Sequence, residues 1–498
     1  MNILNSSVND NRMYKMIKQR IYLVLLFSSV LLWISCERPT SPENPNEPPN
    51  TTMANIPREN DTLFALVKLH WDGEDNDGYI SKYEYRYITK RIFIGDSIVQ
   101  EWKETDQTSL VVPFLSDDEL NLQIFQVRSV DNKGFVDPTP AEKRFYTIQT
   151  VFPETEILYP KNNSTYFVND KPTDWWQGIK LNYFGFDKDG QIVEYAWAVD
   201  DTDWHWTNDT SVVITPDYFS KPLSGQHTIR VTSRDNTNLI DPDGKEIIIN
   251  LINPSFEKKI LVIDATTESN FPAGLVNKAN DAQVDAFYAD VFEGSDSWDF
   301  NKNGMPPVDV LGQYKCIVWH SDDLPFSKPH AIANYTDAIE DYLNVGGNII
   351  IGGWRILKSF AWTDNFPIVF EQNSFVNQYL HIVSVDETSL IGDFKGAAGL
   401  NGIYPDIKVD SLKLVGFPYN GMLGNINLIL LPAGFTDGIY FYQNANDSPY
   451  YQYRGRTVGL RYYGTSFQAT VLGFPLFFIE KENAKIMARE ILKQMGIN

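Results

Sequence analysis

Apolar and polar positions along the chain fall into four regimes. Over 21–34 an apolar run, with Ser28 and Ser29 inside it, follows the basic residues Arg12, Lys15, Lys18 and Arg20. Its 14 residues fall short of the roughly 20 that carry a helix across a bilayer, and the basic-then-apolar order is that of a signal peptide. Pro39, Pro42, Pro45, Pro48 and Pro49, mixed with Ser, Glu and Asn, predict a stiff solvated tether over 37–50. Between 51 and 254, segments alternate apolar and polar with period two, as in Tyr83, Tyr85 and Tyr87, and Gly, Asn, Asp and Pro punctuate them. This predicts antiparallel strands joined by tight turns.

From Lys258 the period changes. Apolar runs over 259–264, 316–320 and 348–351 read as buried strands, and they alternate with helical patterns over 281–292 and 332–343. The second helix places Ile332, Tyr335, Ile339, Tyr342 and Leu343 on one face, and Gly346-Gly347 stops it. After a less regular stretch over 360–424, strands are predicted at 428–431, 457–460 and 470–475. A closing helix over 481–495 carries Ala484, Met487, Ala488, Ile491, Leu492 and Met495 in one stripe and ends at Gly496. Alternating strand and helix predict a doubly wound, mostly parallel α/β sheet over 255–498.

The period-two region repeats. The segment Leu69-His70-Trp71-Asp72-Gly73-Glu74-Asp75-Asn76-Asp77-Gly78-Tyr79-Ile80 returns over 181–192, with Asp187, Asp189, Gly190 and Ile192 matching Asp75, Asp77, Gly78 and Ile80. Tyr83 and Tyr85 return as Tyr195 and Trp197, and Trp102 as Trp204. Val127-Arg128-Ser129-Val130-Asp131-Asn132 returns as Val231-Thr232-Ser233-Arg234-Asp235-Asn236, and Asp137-Pro138 as Asp241-Pro242. Two modules of about 100 residues, 51–150 and 151–254, are therefore expected, each an antiparallel β-sandwich. With Gly78 or Gly190 at the sixth position of an EF-hand loop, the first position, which needs an oxygen ligand, falls on Gly73 or Gly185, so the Asp-x-Asp-Gly segments read as turns. There Asp bonds its own backbone and Gly takes positive φ. The Trp102/Trp204 correspondence suggests a core position, whereas Trp175, Trp176 and Trp206 lack counterparts and stand as candidates for stacking on sugar rings.

Three resemblances follow. The order of an Asp-x-Asp-Gly turn, an aromatic strand, a lone Trp and a Val-x-Ser-x-Asp-Asn strand end resembles fibronectin type III or immunoglobulin-like modules of bacterial surface proteins. Leu32-Trp33-Ile34-Ser35-Cys36 resembles a bacterial lipobox, with Trp33 where the motif usually has Leu. That resemblance implies cleavage before Cys36 and its acylation; the segment 1–36 would then be removed, and Met13 and Met16 are alternative starts. The segment Asp341 to Gly353, with the strand end Gly473-Phe474-Pro475-Leu476, resembles the class I glutamine amidotransferase-like, flavodoxin-like fold. Enzymes of that family place a nucleophilic Cys after the Gly-Gly strand and a His and Glu at the late strand end. Here Trp354 stands at the first position, with Phe474 and Leu476 near the others, so the triad is absent.

Composition narrows the function classes. Forty-two Lys plus Arg against 64 Asp plus Glu give a net charge of −22, which repels nucleic acid. Two cysteines and six histidines without ligand spacing predict neither a disulfide scaffold nor a metal site, and no cofactor loop is evident. Cys316, early in its strand, reads as a core thiol. In an open α/β sheet the strand ends should converge on one crevice, so Asp264, His320, Asp322, Asp323, Trp354 and Arg355 are the candidate ligand-binding residues. The expectation is a lipid-anchored protein of the cell envelope, at the outer membrane, whose sandwich spacers present a degenerate amidotransferase-like domain for binding a carbohydrate or protein. Two rival readings stay open: a hydrolase or carbohydrate-active enzyme using His320, Asp322 and Asp323, and a purely structural envelope component.

Overall fold

The computed structural model describes residues 45–497 apart from 65, 115–119, 149–150, 189, 237, 401 and 445–451. The signal peptide, Cys36 and most of the tether lie outside the described residues. The chain divides into two compact units, Met1–Val151 and Phe152–Asn498.

The first unit is a β-sandwich. Strands β1 (Asn50–Met53), β3 (Leu66–Glu74) and β7 (Ser109–Pro113) form one sheet. The other runs β2 (Thr62–Phe64), β9 (Ala141–Ile148), β8 (Asn121–Asp131), β4 (Ile80–Arg91) and β5 (Asp96–Val99), with β6 (Lys103–Thr105) also on β4. Alternation along β3 sends Val67, Leu69 and Trp71 inward against Tyr83, Phe125 and Phe145. The tether's last residues belong to this unit: Pro49 is buried and Asn46 bonds the Asp131 carboxylate.

The repeated residues turn out to be turn and clamp residues. Asn132 Oδ1 accepts from the Tyr79 amide at 3.2 Å, and Asn132 N donates to Tyr79 O at 3.0 Å. In the second copy Asn236 does the same to Gln191 at 3.1 and 3.0 Å. A buried hydroxyl pair also recurs, Thr51–Ser129 and Thr155–Ser233, each at 2.8 Å. Asp77 N donates to Asp75 Oδ1 at 3.3 Å, the self-bonding expected of the turn. Gly78, however, does not take positive φ. It is small because a Cβ there would sit 2.3 Å from Asn132 Oδ1.

The second unit opens with the other sandwich. Strands β10 (Glu154–Tyr159), β12 (Ile179–Phe186) and β15 (Ser211–Ile214) face a sheet ordered β11 (Ser164–Phe167), β17 (Lys245–Ile252), β16 (Gly225–Asp235), β13 (Ile192–Val199) and β14 (His205–Thr207). Its core does not stop at residue 254. Phe167, Ile249 and Leu251 belong to one apolar cluster with Leu311, Tyr314, Ile317 and Trp319 of the chain that follows.

That following chain builds a twelve-stranded mixed sheet. Its first half is parallel: β19 (Asp296–Asp299), β18 (Lys258–Asp264), β20 (Tyr314–Ser321), β21 (Asn348–Gly353) and β29 (Gln468–Leu472). The order then continues antiparallel through β28 (Thr457–Tyr463), β26 (Asn427–Pro432), β23 (Ile382–Glu387) and β22 (Ile368–Val369). Beside this path lie β24 (Phe394–Gly399), β25 (Ile407–Lys408) and β27 (Thr436–Asn444). The expectation of a mostly parallel sheet is therefore corrected: the irregular stretch over 360–424 contributes antiparallel strands, whose short alternating runs carry no distinct periodicity. Helices α1 (Asp281–Val291) and α6 (Lys481–Gln494) cover one face through Val284, Phe287, Tyr288, Met487 and Ile491. The short helices are α2 (Phe300–Asn303), α3 (Val308–Leu311) and α5 (Phe375–Gln378).

The predicted helix over 332–343 splits into a 3₁₀ turn, Ala331–Asn334, and α4 (Thr336–Asn344), with Tyr335 at the joint. Gly346 has φ 107°, which stops α4. On α4, burial and the neighbouring Asp337 and Asp341 carboxylates push Glu340 up to about 7. The fold therefore favours the neutral acid: its contribution is complete below the unfolded value near pH 4.3 and is lost as pH rises through about 7. Glu340→Gln is expected to raise the midpoint of thermal unfolding at pH 8 and to leave it unchanged at pH 4, as measured by calorimetry at the two pH values.

Candidate functional site

The carboxyl ends of β18, β20 and β21 lie side by side, with Asp264 opposite His320 and His320 opposite Gly352. Residues 260, 262 and 264 of β18, like 316, 318 and 320 of β20, point to the face covered by α1 and α6, so Asp264 and His320 meet beneath Tyr288. The imidazole stacks on the phenol ring at 3.5 Å and 10°. His320 Nδ1 lies 3.0 Å from Asp322 Oδ2, 3.4 Å from Asp264 Oδ1 and 3.2 Å from Thr266 Oγ1.

Asp322 is the hub. Its Oδ2 accepts from the Tyr288 hydroxyl at 2.8 Å, its Oδ1 from the Phe477 amide at 3.0 Å, and its own amide donates to Thr266 Oγ1 at 3.2 Å. Burial by itself depresses the basicity of His320, but the Asp264 and Asp322 carboxylates, with Asp285 beyond them, outweigh it and hold the imidazole above its ordinary range. His320 Nε2 is buried without a hydrogen-bond partner.

A second network adjoins the first. Asp323 accepts from the Thr267 amide and the Asn270 side chain, each at 3.1 Å, and faces His330 Nδ1 at 3.9 Å. His330 Nε2 donates to the Trp354 carbonyl at 2.7 Å. Burial drives this pair toward its neutral forms, raising Asp323 and lowering His330, each against the partner's opposing charge.

Of the six residues expected to share a crevice, Asp264, His320 and Asp322 do meet, Asp323 and Trp354 join through His330, and Arg355 stands apart. No open crevice separates them: Asp264, His320, Asp322 and Asp323 are 3%, 1%, 0% and 2% exposed. Trp354 is fully enclosed, its Nε1 donating to Gly424 O at 2.9 Å and its ring packed edge-on against Tyr419 and Phe478. The strained position after the strand is also one residue later than the sequence suggests. Arg355, at φ 59°, makes the bend, and its Nε donates to Glu387 Oε1 at 2.7 Å. Burial pushes Glu387 up despite that guanidinium. Cys316 is buried and its thiol is pushed up by desolvation. Among the described residues no group of three or more His, Cys, Asp or Glu is placed to hold a metal ion.

Sequence reasoning missed Tyr288, Thr266, His330 and Glu387. Tyr288 carried a signal, because helical spacing puts it on the buried stripe with Val284, Phe287 and Val291; the others had none. The tryptophans also differ from expectation. Trp102 and Trp204 are not core residues: Trp102 lies under the guanidinium groups of Arg86 and Arg128 at 4.5 and 4.1 Å, and Trp204 lies 5.4 Å from that of Arg230. Trp206 stacks under Arg234 at 4.0 Å. Trp175 is half-buried and packs on Tyr379 and Phe467, and Trp176 is buried.

No family model matches the chain, and no curated protein matches it. Solved structures similar to part of it include fibronectin(III)-like modules of Clostridium thermocellum CbhA, at 14% identity and TM-score 0.18, covering 41% of this chain and 94% of that one. Three N-terminal domains of the bacteriophage RB49 Highly Immunogenic Outer Capsid protein match at 12% identity and TM-score 0.20, covering 43% of this chain and 64% of that one. Chicken CNTN1 FN1-FN3 domains match at 16% identity and TM-score 0.16, covering 44% and 70%. These scores are low, and the sandwich architecture stands on the strand pairing given above.

Proposed function

We propose that the chain is a lipid-anchored protein of the cell envelope, held at the outer membrane through Cys36, in which two β-sandwich spacers carry a C-terminal domain with a binding or assembly role. The observation that supports a non-catalytic role is the closure of the polar network. His320, Asp322 and Asp323 are the groups a hydrolase would use, and they are sealed under Tyr288 and Phe477 with their oxygens already bonded. A general base has to reach the proton that it removes, and an activated thiol has to ionise. His320 has no solvent path of that kind, and Cys316 is held as a thiol. The amidotransferase-like resemblance fits a domain that keeps the strand order of its parallel half without the reactive bend residue.

The anchor reading draws on the basic stretch, the 14-residue apolar run and the Ser35-Cys36 pair. Fatty chains contribute about 0.8 kcal/mol per buried methylene, so the acidic body needs no contact with lipid. Among the described residues no helix is long and apolar enough to cross a membrane. In bacteria fed an alkyne-tagged fatty acid, the wild-type chain is expected to carry the tag and to sediment with membranes. Cys36→Ser is expected to lose both. An untagged wild-type chain rejects the anchor, and hydrolysis of a nitrophenyl ester or glycoside that disappears in His320→Ala rejects the non-catalytic role.

A further inference from the structure

Between α1, α6 and the 3₁₀ turns Ser411–Leu414 and Leu476–Phe478 lies a cavity of about 510 Å³, a size within the range of small-molecule sites. Phe287, Phe477 and Phe478 give it an apolar wall, and Ala286, on the exposed side of α1, stands at its rim. Lys413 reaches into this apolar surrounding. Its Nζ lies 4.4 Å from the centre of the Phe287 ring and 4.2 Å from that of Phe477, and it donates to the Phe477 carbonyl at 2.6 Å.

An ammonium has three N–H donors to place. Asp410 forms an ion pair with it at 3.7 Å, and the half-buried Lys413 side chain keeps 24% of its surface exposed on the cavity side of that pair. Burial accordingly depresses the basicity of Lys413, against the pull of Asp410 and Asp322. The other lining lysines are Lys278 and Lys481, the latter bonded to Asp290 at 2.6 Å. The lining therefore carries three lysines against Asp290 and Asp410, an excess of one positive charge in a chain of net charge −22.

We infer that this cavity binds a small organic carboxylate with an aromatic or branched apolar body, its carboxylate on Lys413 Nζ and its body against Phe287 and Phe477. The site lies outside the six residues expected from the sequence and goes beyond the envelope reading, on which it does not depend. It touches the buried network at one point, since Phe477 donates its amide to Asp322. An anion beside Nζ accepts a charge-assisted hydrogen bond from a half-buried ammonium whose existing partners are the Phe477 carbonyl and the Asp410 carboxylate, and the aromatic wall buries the ligand's apolar surface.

The test is calorimetric titration of the detergent-solubilised full chain with phenylacetate, phenylacetamide and acetate. Phenylacetate is expected to bind, with the amide and acetate weaker by about tenfold or more, the size of one charge-assisted contact or one buried ring. Lys413→Met is expected to weaken phenylacetate by a similar factor. Ala286→Trp, at an exposed rim position that leaves the charge in place, is expected to abolish binding while the unfolding midpoint holds. Equal binding of phenylacetamide, retention of affinity in Ala286→Trp, or no heat with phenylacetate in the wild-type chain each overturns the inference. None of these results bears on acylation of Cys36, so the two readings fail separately.

Discussion

Trp354→Ala is expected to destabilise the second unit by about 3–5 kcal/mol, the range for truncating a large buried aromatic. Three effects add at this position. The fully buried indole fills space between Tyr419 and Phe478. Its Nε1–H satisfies the Gly424 carbonyl at 2.9 Å, which would be left buried without that donor. The residue also lies just before the strained bend at Arg355, so a cavity here loosens the segment that its own amide ties to Ser321 O at 2.9 Å. Urea denaturation followed by tryptophan fluorescence and by circular dichroism checks the size. A loss below about 1 kcal/mol, the range of a surface substitution, would place the indole outside the core and reopen it as a ligand contact.

Asp322→Ala is expected to cost a similar amount, about 3–5 kcal/mol, because it breaks a buried charged network from the middle. The Tyr288 hydroxyl and the Phe477 amide lose their acceptor, and His320 Nδ1 loses the nearer of its two carboxylates, keeping Asp264 at 3.4 Å. Asp322→Asn keeps the shape and is expected to lose less while removing the charge that helps hold His320 protonated. The sign of the pH effect follows from His320 being held above its ordinary value. Its stabilising contribution is complete below the unfolded value near 6.5 and disappears as pH rises through the folded one. Unfolding free energy of the wild type should therefore fall as pH rises above about 6.5, and Asp322→Asn should flatten that fall. An unchanged slope in the variant would show that His320 titrates independently of Asp322.

Trp354 and Asp322 are residues that the sequence marked as lining a crevice and that packing turned into an interior. Strand periodicity placed Asp264, His320 and Trp354 at the carboxyl ends of neighbouring parallel strands; in the register Asp264 lies opposite His320 and His320 opposite Gly352, and Trp354 follows the strand end. Periodicity has no term for what lies above the strand ends. There, Tyr288 from α1 and Phe477 from the turn after β29 close the network, across sequence separations of 34 and 155 residues. Lys413 escaped notice for the same reason. A lysine in an irregular stretch has no pattern, and its surroundings come from α1 and from the turn before α6, both far away in the chain.

By itself the sequence determined whatever depends on neighbours along the chain. The duplicated turn chemistry is legible because Asp75 and Gly78 recur at the same spacing as Asp187 and Gly190, and the strand end carrying Asn132 recurs with Asn236. The buried strands around Ile263, Val318 and Ile350 and the apolar stripe of the closing helix are legible because side-chain direction repeats every two or 3.6 residues. Tertiary structure decided the rest. It joined the second sandwich to the following sheet through one core, bent the chain at Arg355, and set a lysine over two phenylalanine rings. Those outcomes follow from excluded volume and from the partners available to buried polar atoms. Both are properties of distant segments brought together, and local spacing does not encode them.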